Sequence, residues 1–132
     1  MALAAGLAVP AWAAADPITG RWVTQEKDAV VAIAKCGETL CGRIERFLIL
    51  PPGGNDQRDE NNPDPAKRKR KLLGSAILFG LTAAGDVWQG QVYDPKVGKT
   101  YTAKVRRKPD GTLEMKGCVG PFCQAQVWKK AS

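Results

Sequence analysis

Beyond residue 16 the chain nowhere holds a helical period for long. Short runs alternate apolar and polar positions, and glycine, proline, asparagine or aspartate separates one run from the next. Tyr101, Ala103 and Val105 alternate with Thr100, Thr102, Lys104 and Arg106, the pattern of a strand with one buried face. Leu113 and Met115 alternate in the same way with Thr112, Glu114 and Lys116, and Asp110-Gly111 between the two runs predicts a hairpin turn. A second hairpin returns from 86–93 through Asp94-Pro95-Lys96-Val97-Gly98 into 99–107. Extended along the chain, the pattern predicts eight strands, near 18–24, 29–36, 40–50, 74–82, 86–93, 99–107, 112–118 and 124–130. Short connections make successive strands antiparallel neighbours. The expected fold class is therefore all-β, an antiparallel up-and-down barrel whose closure removes exposed sheet edges, with a β-sandwich as the alternative. The connection from about Pro51 to Leu73 breaks the rule of short loops. It is polar, carries Pro51, Pro52, Pro63 and Pro65, and ends in a stretch, Pro65–Leu73, that predicts a short helix.

Residues 1–15 have a different character. They carry no charge and are mostly alanine, leucine and valine, with small-x-small sites at Ala11-Trp12-Ala13 and Ala13-Ala14-Ala15. This composition reads as a secretory signal peptide, with residues 16–132 as one mature domain. No lysine or arginine follows Met1 to form the basic opening of such a leader, which points to a translation start upstream. The apolar stretch falls short of the ~20 residues that span a bilayer, so no transmembrane segment is expected.

A leader of this kind changes what the four cysteines mean. Cys36 and Cys41 form one pair, and Cys118 and Cys123 another with the same spacing. In a periplasmic or secreted protein such pairs read as disulfides; in a reducing compartment four thiols would raise a zinc site. Four cysteines allow three connectivities. Local bridges are favoured because Cys36–Cys41 spans a strand–turn–strand pattern and Gly120-Pro121 punctuates the second segment.

The formal charge is +7, with five consecutive basic residues at Lys67–Lys71. That run could meet an anionic envelope surface, although the acidic and amide-rich stretch before it balances part of the charge. Nucleic acid is not an expected partner of an exported chain. The sequence holds no histidine, and its serines are Ser75 and Ser132, which removes Ser-His-Asp and Cys-His catalysis and histidine-ligated metals. Asp56, Asp59, Glu60 and Asp64 cluster, but their spacing singles out no acid–base pair for glycoside hydrolysis. The cluster does not fit a calcium-binding EF-hand either, because Pro63 stands fifth from Asp59 and no glycine follows it. No enzyme activity, cofactor or metal is assigned.

The order of motifs carries further information. Gly20-Arg21-Trp22 opens the first strand, Cys36-Gly37-x-x-Leu40-Cys41-Gly42 spans the first hairpin, and Asp59-x-Asn61-Asn62-Pro63-Asp64 lies in the long loop. Arg70 and Gly74 follow, then Trp88-x-Gly90-x-x-Tyr93-Asp94-Pro95-x-x-Gly98-Lys99-x-Tyr101, and finally Gly117 and Trp128. Together these resemble the bacterial exported family known as domain of unknown function 2147, over roughly residues 18–130. The resemblance implies a lipocalin-like, calycin-type barrel without an established role. It also implies that Gly20 and Trp22 belong to a closed end, with the tryptophan beneath a basic side chain of the last strand, Lys129 or Lys130. Cys118 and Cys123 are less typical of that family, so their bridge rests on the compartment.

A barrel of about eight strands can enclose one small molecule. Trp88, Tyr93, Tyr101, Ala103, Val105, Leu113 and Met115 are the candidate lining residues, with simple core packing as the competing reading. The hydroxyls of Tyr93 and Tyr101 would serve a barrel mouth, and Arg68 and Arg70 would approach it if the ligand is anionic. The sequence therefore points to an exported, non-catalytic binder of an apolar or weakly anionic small molecule. The alternative is an interaction module that meets an anionic surface or a protein partner through Lys67–Lys71. Mass spectrometry of protein recovered from the cell envelope is expected to give a chain beginning at Ala14 or Asp16 with no alkylatable thiol before reduction.

Overall fold

The computed structural model describes residues 15–131; residues 1–14, with almost all of the predicted leader, lie outside the described residues, as does Ser132. Eight strands run in chain order around one closed barrel: β1 Gly20–Val23, β2 Ala29–Cys36, β3 Thr39–Phe47, β4 Ala76–Ala84, β5 Val87–Asp94, β6 Lys99–Arg107, β7 Leu113–Val119 and β8 Phe122–Lys130. Every neighbouring pair is antiparallel, as the short connections require. The barrel shuts where β8 meets β1, through two residue pairs, Trp22↔Lys130 and Val23↔Lys129.

The period-two pattern sets the faces. Val31, Ile33, Leu40, Ile44, Leu78, Leu81, Val92, Ala103, Val105, Leu113, Met115 and Trp128 join one hydrophobic cluster inside the barrel. Gly42 also faces inward, where a Cβ would come to 3.0 Å from Leu78 and 3.1 Å from Val31, so the absent side chain makes room for larger neighbours. Irregular register within the β3–β4 and β4–β5 pairs bends the sheet toward closure.

Strand boundaries depart from the sequence reading for identifiable reasons. The first strand starts at Gly20 because Ile18 is drawn into the core instead of pairing. The third ends at Phe47, since the Leu48 and Ile49 amides both turn to the Asp28 carbonyl. The helix expected over Pro65–Leu73 reduces to one 3-10 turn, Pro65–Lys67, with the Asp64 carboxylate accepting from the Ala66 amide at its start. Beyond that turn the backbone pairs with the loop's outgoing arm: the Asp59 amide donates to the Arg70 carbonyl, and the Leu72 amide to that of Gln57. Those bonds replace the ones a helix would have made.

Both disulfides are local, Cys36–Cys41 and Cys118–Cys123, and among the described residues no cysteine is free. Each bridge ties the two arms of one hairpin, and Cys118 and Cys123 stand directly opposite in the β7–β8 register. Loop-closure entropy for so short a ring is worth about 2 kcal/mol. Replacing either pair by alanine is expected to lower stability by about that amount in urea unfolding, with the barrel retained.

Candidate functional site

Three connections, with the entering and leaving chain, stand at one end of the barrel and four at the other, and the two ends are built differently. At one end the chain enters ahead of β1 and crosses the opening. Ile18 is wholly buried there, and Trp22 is 1% exposed. Trp22 Nε1 donates to the Ile18 carbonyl at 2.9 Å, and Trp88 Nε1 donates to the Asp16 carbonyl at 2.9 Å. Two indoles thus hold the entering segment as a plug. The expected cation over Trp22 is present, but its source is a correction: the guanidinium of Arg107 lies 6.0 Å from the ring centroid, and neither Lys129 nor Lys130 supplies it. Arg107 pairs with inward-facing Leu113 and so shares its face, whereas Lys129 follows inward-facing Trp128 and points outward.

The long connection attaches to the other end, and one carboxylate organises it. The Asp59 side chain has no solvent exposure. It accepts from the Tyr93 hydroxyl at 2.7 Å, from Asn62 Nδ2 at 2.8 Å and from Arg70 Nε at 3.0 Å, and Arg70 Nη2 makes an ion pair with the same oxygen at 3.0 Å. Arg70 also stacks 5.9 Å from the Tyr93 ring centroid. Burial and the acceptor carboxylate push the Tyr93 hydroxyl well above its ordinary range, so it remains a donor at every working pH. Asn61 extends the attachment, donating from Nδ2 to the carbonyls of Pro95 and Lys96 at 3.1 Å each. Gly98 completes it: its φ of 70° favours glycine, and a Cβ there would collide with the Asn61 carbonyl oxygen.

The turn that receives the loop also spans the opening. Lys96, in the β5–β6 turn, donates to Glu26 and Asp28 of the β1–β2 turn at 2.9 Å each. These turns stand on opposite sides of an eight-stranded ring. Burial disfavours the Asp28 carboxylate, but the Thr24 hydroxyl and the Lys96 ammonium outweigh it and hold the group below its ordinary range. The hydrogen bonds it donates to the Glu26 and Asp28 carboxylates raise Lys96.

The predicted ligand residues do not converge on one cavity. Val105 and Met115 lie in the packed centre, and Trp88 faces inward at the plugged end. Tyr101 faces inward, opposite Val92, and is half-buried against the core; among the described residues its hydroxyl forms no hydrogen bond. Tyr93 does not share that mouth. It pairs with Thr100, one position away from the Val92–Tyr101 pair, so it points outward into the Asp59 cluster. Arg70 is taken up by the same cluster. Arg68 donates from Nε to the Asn62 carbonyl at 2.7 Å and lines an open external cleft of about 460 Å³ with Arg58, Glu60 and Lys69. The loop acids diverge too: Asp56 pairs with Lys71, Asp64 caps the 3-10 turn, and among the described residues no three potential metal ligands come together. The sequence reading gave no role to Ile18, Arg107 or Lys96. Nothing in their spacing announces contacts made across the barrel.

An eight-stranded meander with one end plugged ahead of β1 and a tryptophan under a guanidinium there is a lipocalin-like barrel. Residues 20–130 match the family described as "Uncharacterized protein conserved in bacteria (DUF2147)", and the chain belongs to that family. A similar solved structure is described as "Protein HP1028 from the human pathogen Helicobacter pylori belongs to the lipocalin family". The likeness has a TM-score of 0.77 at 25% identity, over 88% of this chain and 84% of that one. No curated protein matches this chain.

Removing Asp59 strands three donors. Asp59→Ala is expected to cost about 3–5 kcal/mol, and Tyr93→Phe about 1–3 kcal/mol. Hydrogen exchange should show the loss concentrated at residues 57–72. The Lys96 bridge has a calculable pH window. Asp28 ionises below its ordinary 3.8, so its contribution is complete above that value and is lost as pH falls through the lowered one. Lys96 is held above 10.5, so its contribution is complete below that value and is lost as pH rises through the raised one. Lys96→Met is expected to cost about 0.2–1 kcal/mol between about pH 5 and pH 9, and less at either extreme or in high salt.

Proposed function

We propose that this protein is an exported, non-catalytic binder of an apolar or weakly anionic small molecule, which enters at the end carrying the long loop. The asymmetry of the two ends carries this reading. One is plugged by Ile18 and the indoles, while the large hydrophobic residues more than half exposed (Ile49, Leu50, Val97, Val119 and Phe122) all lie at the other. Tyr101 stands on the inner wall toward that end with a free hydroxyl, beside Gly117, where a Cβ would sit at ordinary contact distance, 3.8 Å. Phe47 and Leu73, both half-buried, flank the core cluster where the long loop departs and returns.

Export is supported by the two disulfides and by the position of the plug. Its first described contact is at Asp16, so cleavage after Ala15 removes none of the described contacts that seal the barrel. The absence of a catalytic role is supported by Asp59. It is the one buried carboxylate among the described residues, and its oxygens are occupied by Tyr93, Asn62 and Arg70. The basic-loop alternative has less support, since Arg68, Arg70 and Lys71 are engaged within the loop.

Native mass spectrometry of protein purified from the periplasm, together with titration of a fluorescent dansyl fatty acid, tests the reading. The expected result is a releasable mass above that of the polypeptide, or saturable probe binding that Tyr101→Ala weakens about tenfold without unfolding the barrel. A bare polypeptide mass and no saturable probe binding would overturn it.

A further inference from the structure

The seam between β1 and β8 is the least finished part of the barrel. β8 has nine residues and pairs with β7 at seven positions, but with β1 at only two, because β1 has four residues and the chain turns away at Thr24. The Ala131 amide donates to the Arg21 carbonyl across this seam. Alternation then directs the backbone groups of Val127, Ala125 and Cys123 to the same side. The Val127 amide is met by the Gln25 side chain at 2.8 Å. Among the described residues, nothing on that side meets the amides or carbonyls of Cys123 and Ala125. Phe122–Val127 contains no charge and no proline, the devices that ordinarily guard a free edge. Residues 122–125, the first four of β8, are all exposed.

The free edge runs into a cleft of about 330 Å³ at the same seam. Its apolar lining is Val23, Leu48 and Val127, and its charged lining is Lys27, Lys129 and Lys130, with no carboxylate. Glu26 and Asp28, the nearest acids in sequence, are turned to Lys96. We infer that this seam is a docking site for an extended segment of another polypeptide, which adds a strand to β8 and places an apolar and an acidic residue in the cleft. Main-chain bonds to Cys123 and Ala125 would give register, and the lysines would select negative charge. A second copy of this chain fits poorly, because its own free edge is uncharged and the protein carries a net +7.

The test uses the mature disulfide-bonded protein and a ten-residue probe peptide of alternating threonine and valine ending in two aspartates. A twin ending in two lysines is the control, and binding is followed by amide NMR. Saturable shifts and slowed exchange at Cys123 and Ala125 are expected, with the lysine-ended twin weaker by at least about tenfold. Ala125→Pro removes an amide that makes no bond to β7 and should abolish binding with the fold intact. Lys129→Glu, on an exposed side chain, should weaken it about tenfold should the proline variant fail to fold. The proposal is overturned by equal binding of the two peptides, or by absence of shifts along Phe122–Val127. It is also overturned if the Cys123 and Ala125 amides are already protected in the free monomer, or if concentration alone moves them, which would mean self-association.

Discussion

A carboxylate with no access to water needs its full set of donors, and the path of the whole long connection follows from how Asp59 obtains them. Tyr93 comes from a barrel strand, Asn62 from the same turn, and Arg70 from the returning arm of the loop. Once these meet, both arms are fixed relative to β5, and the backbone between them pairs at Arg58↔Lys71. The guanidinium also stacks over the phenol ring. Removing any member leaves buried polar groups without partners, which is why such a cluster behaves as a unit.

From that anchor the loop end of the barrel is assembled by contacts between connections, not by the strands. Asn61 and Gly98 join the long loop to the β5–β6 turn, and Lys96 carries the attachment across to the β1–β2 turn. The opposite end is assembled by insertion, with Ile18 filling the opening and indole nitrogens fixing the carbonyls of the entering chain. The two solutions have different consequences. An inserted apolar plug is stabilised by burial and depends on no ion pair. Bridged loops depend on charge and hydrogen bonding at the surface, and are the more easily opened. One end filled by insertion and one closed by bridges is the asymmetry on which the proposed binding function rests.

Closing a barrel with strands of unequal length leaves a defect somewhere, and here it falls at the β1–β8 seam. β1 is short because Trp22 must turn inward beside the plug while Thr24, two residues on, already begins the turn into β2. The strand that seals the end therefore cannot also cover the length of β8. Gln25 covers one of the exposed amides with its side chain. The uncovered groups follow from the geometry of the closed end, not from the sequence of β8 itself.

The barrel was expected ahead of a sandwich and the local bridges ahead of two other connectivities, while the alternation of Tyr101, Ala103 and Val105 and the Asp110-Gly111 turn made the strands and their antiparallel pairing legible. These depend on contacts between near neighbours in the chain, and period two or a turn dipeptide records them directly. The motif residues Asp59, Asn61, Asn62 and Tyr93 were legible as special, but not what they do. Whether Tyr93 faces a cavity or a loop depends on a one-residue register across the β5–β6 hairpin, which composition does not encode. That Arg107, not a lysine of the last strand, covers Trp22 was decided in three dimensions. So were the bridge from Lys96 to the far side of the opening and the open edge left on β8. Each joins or separates residues far apart in the chain, and the barrel's closure alone sets how they meet.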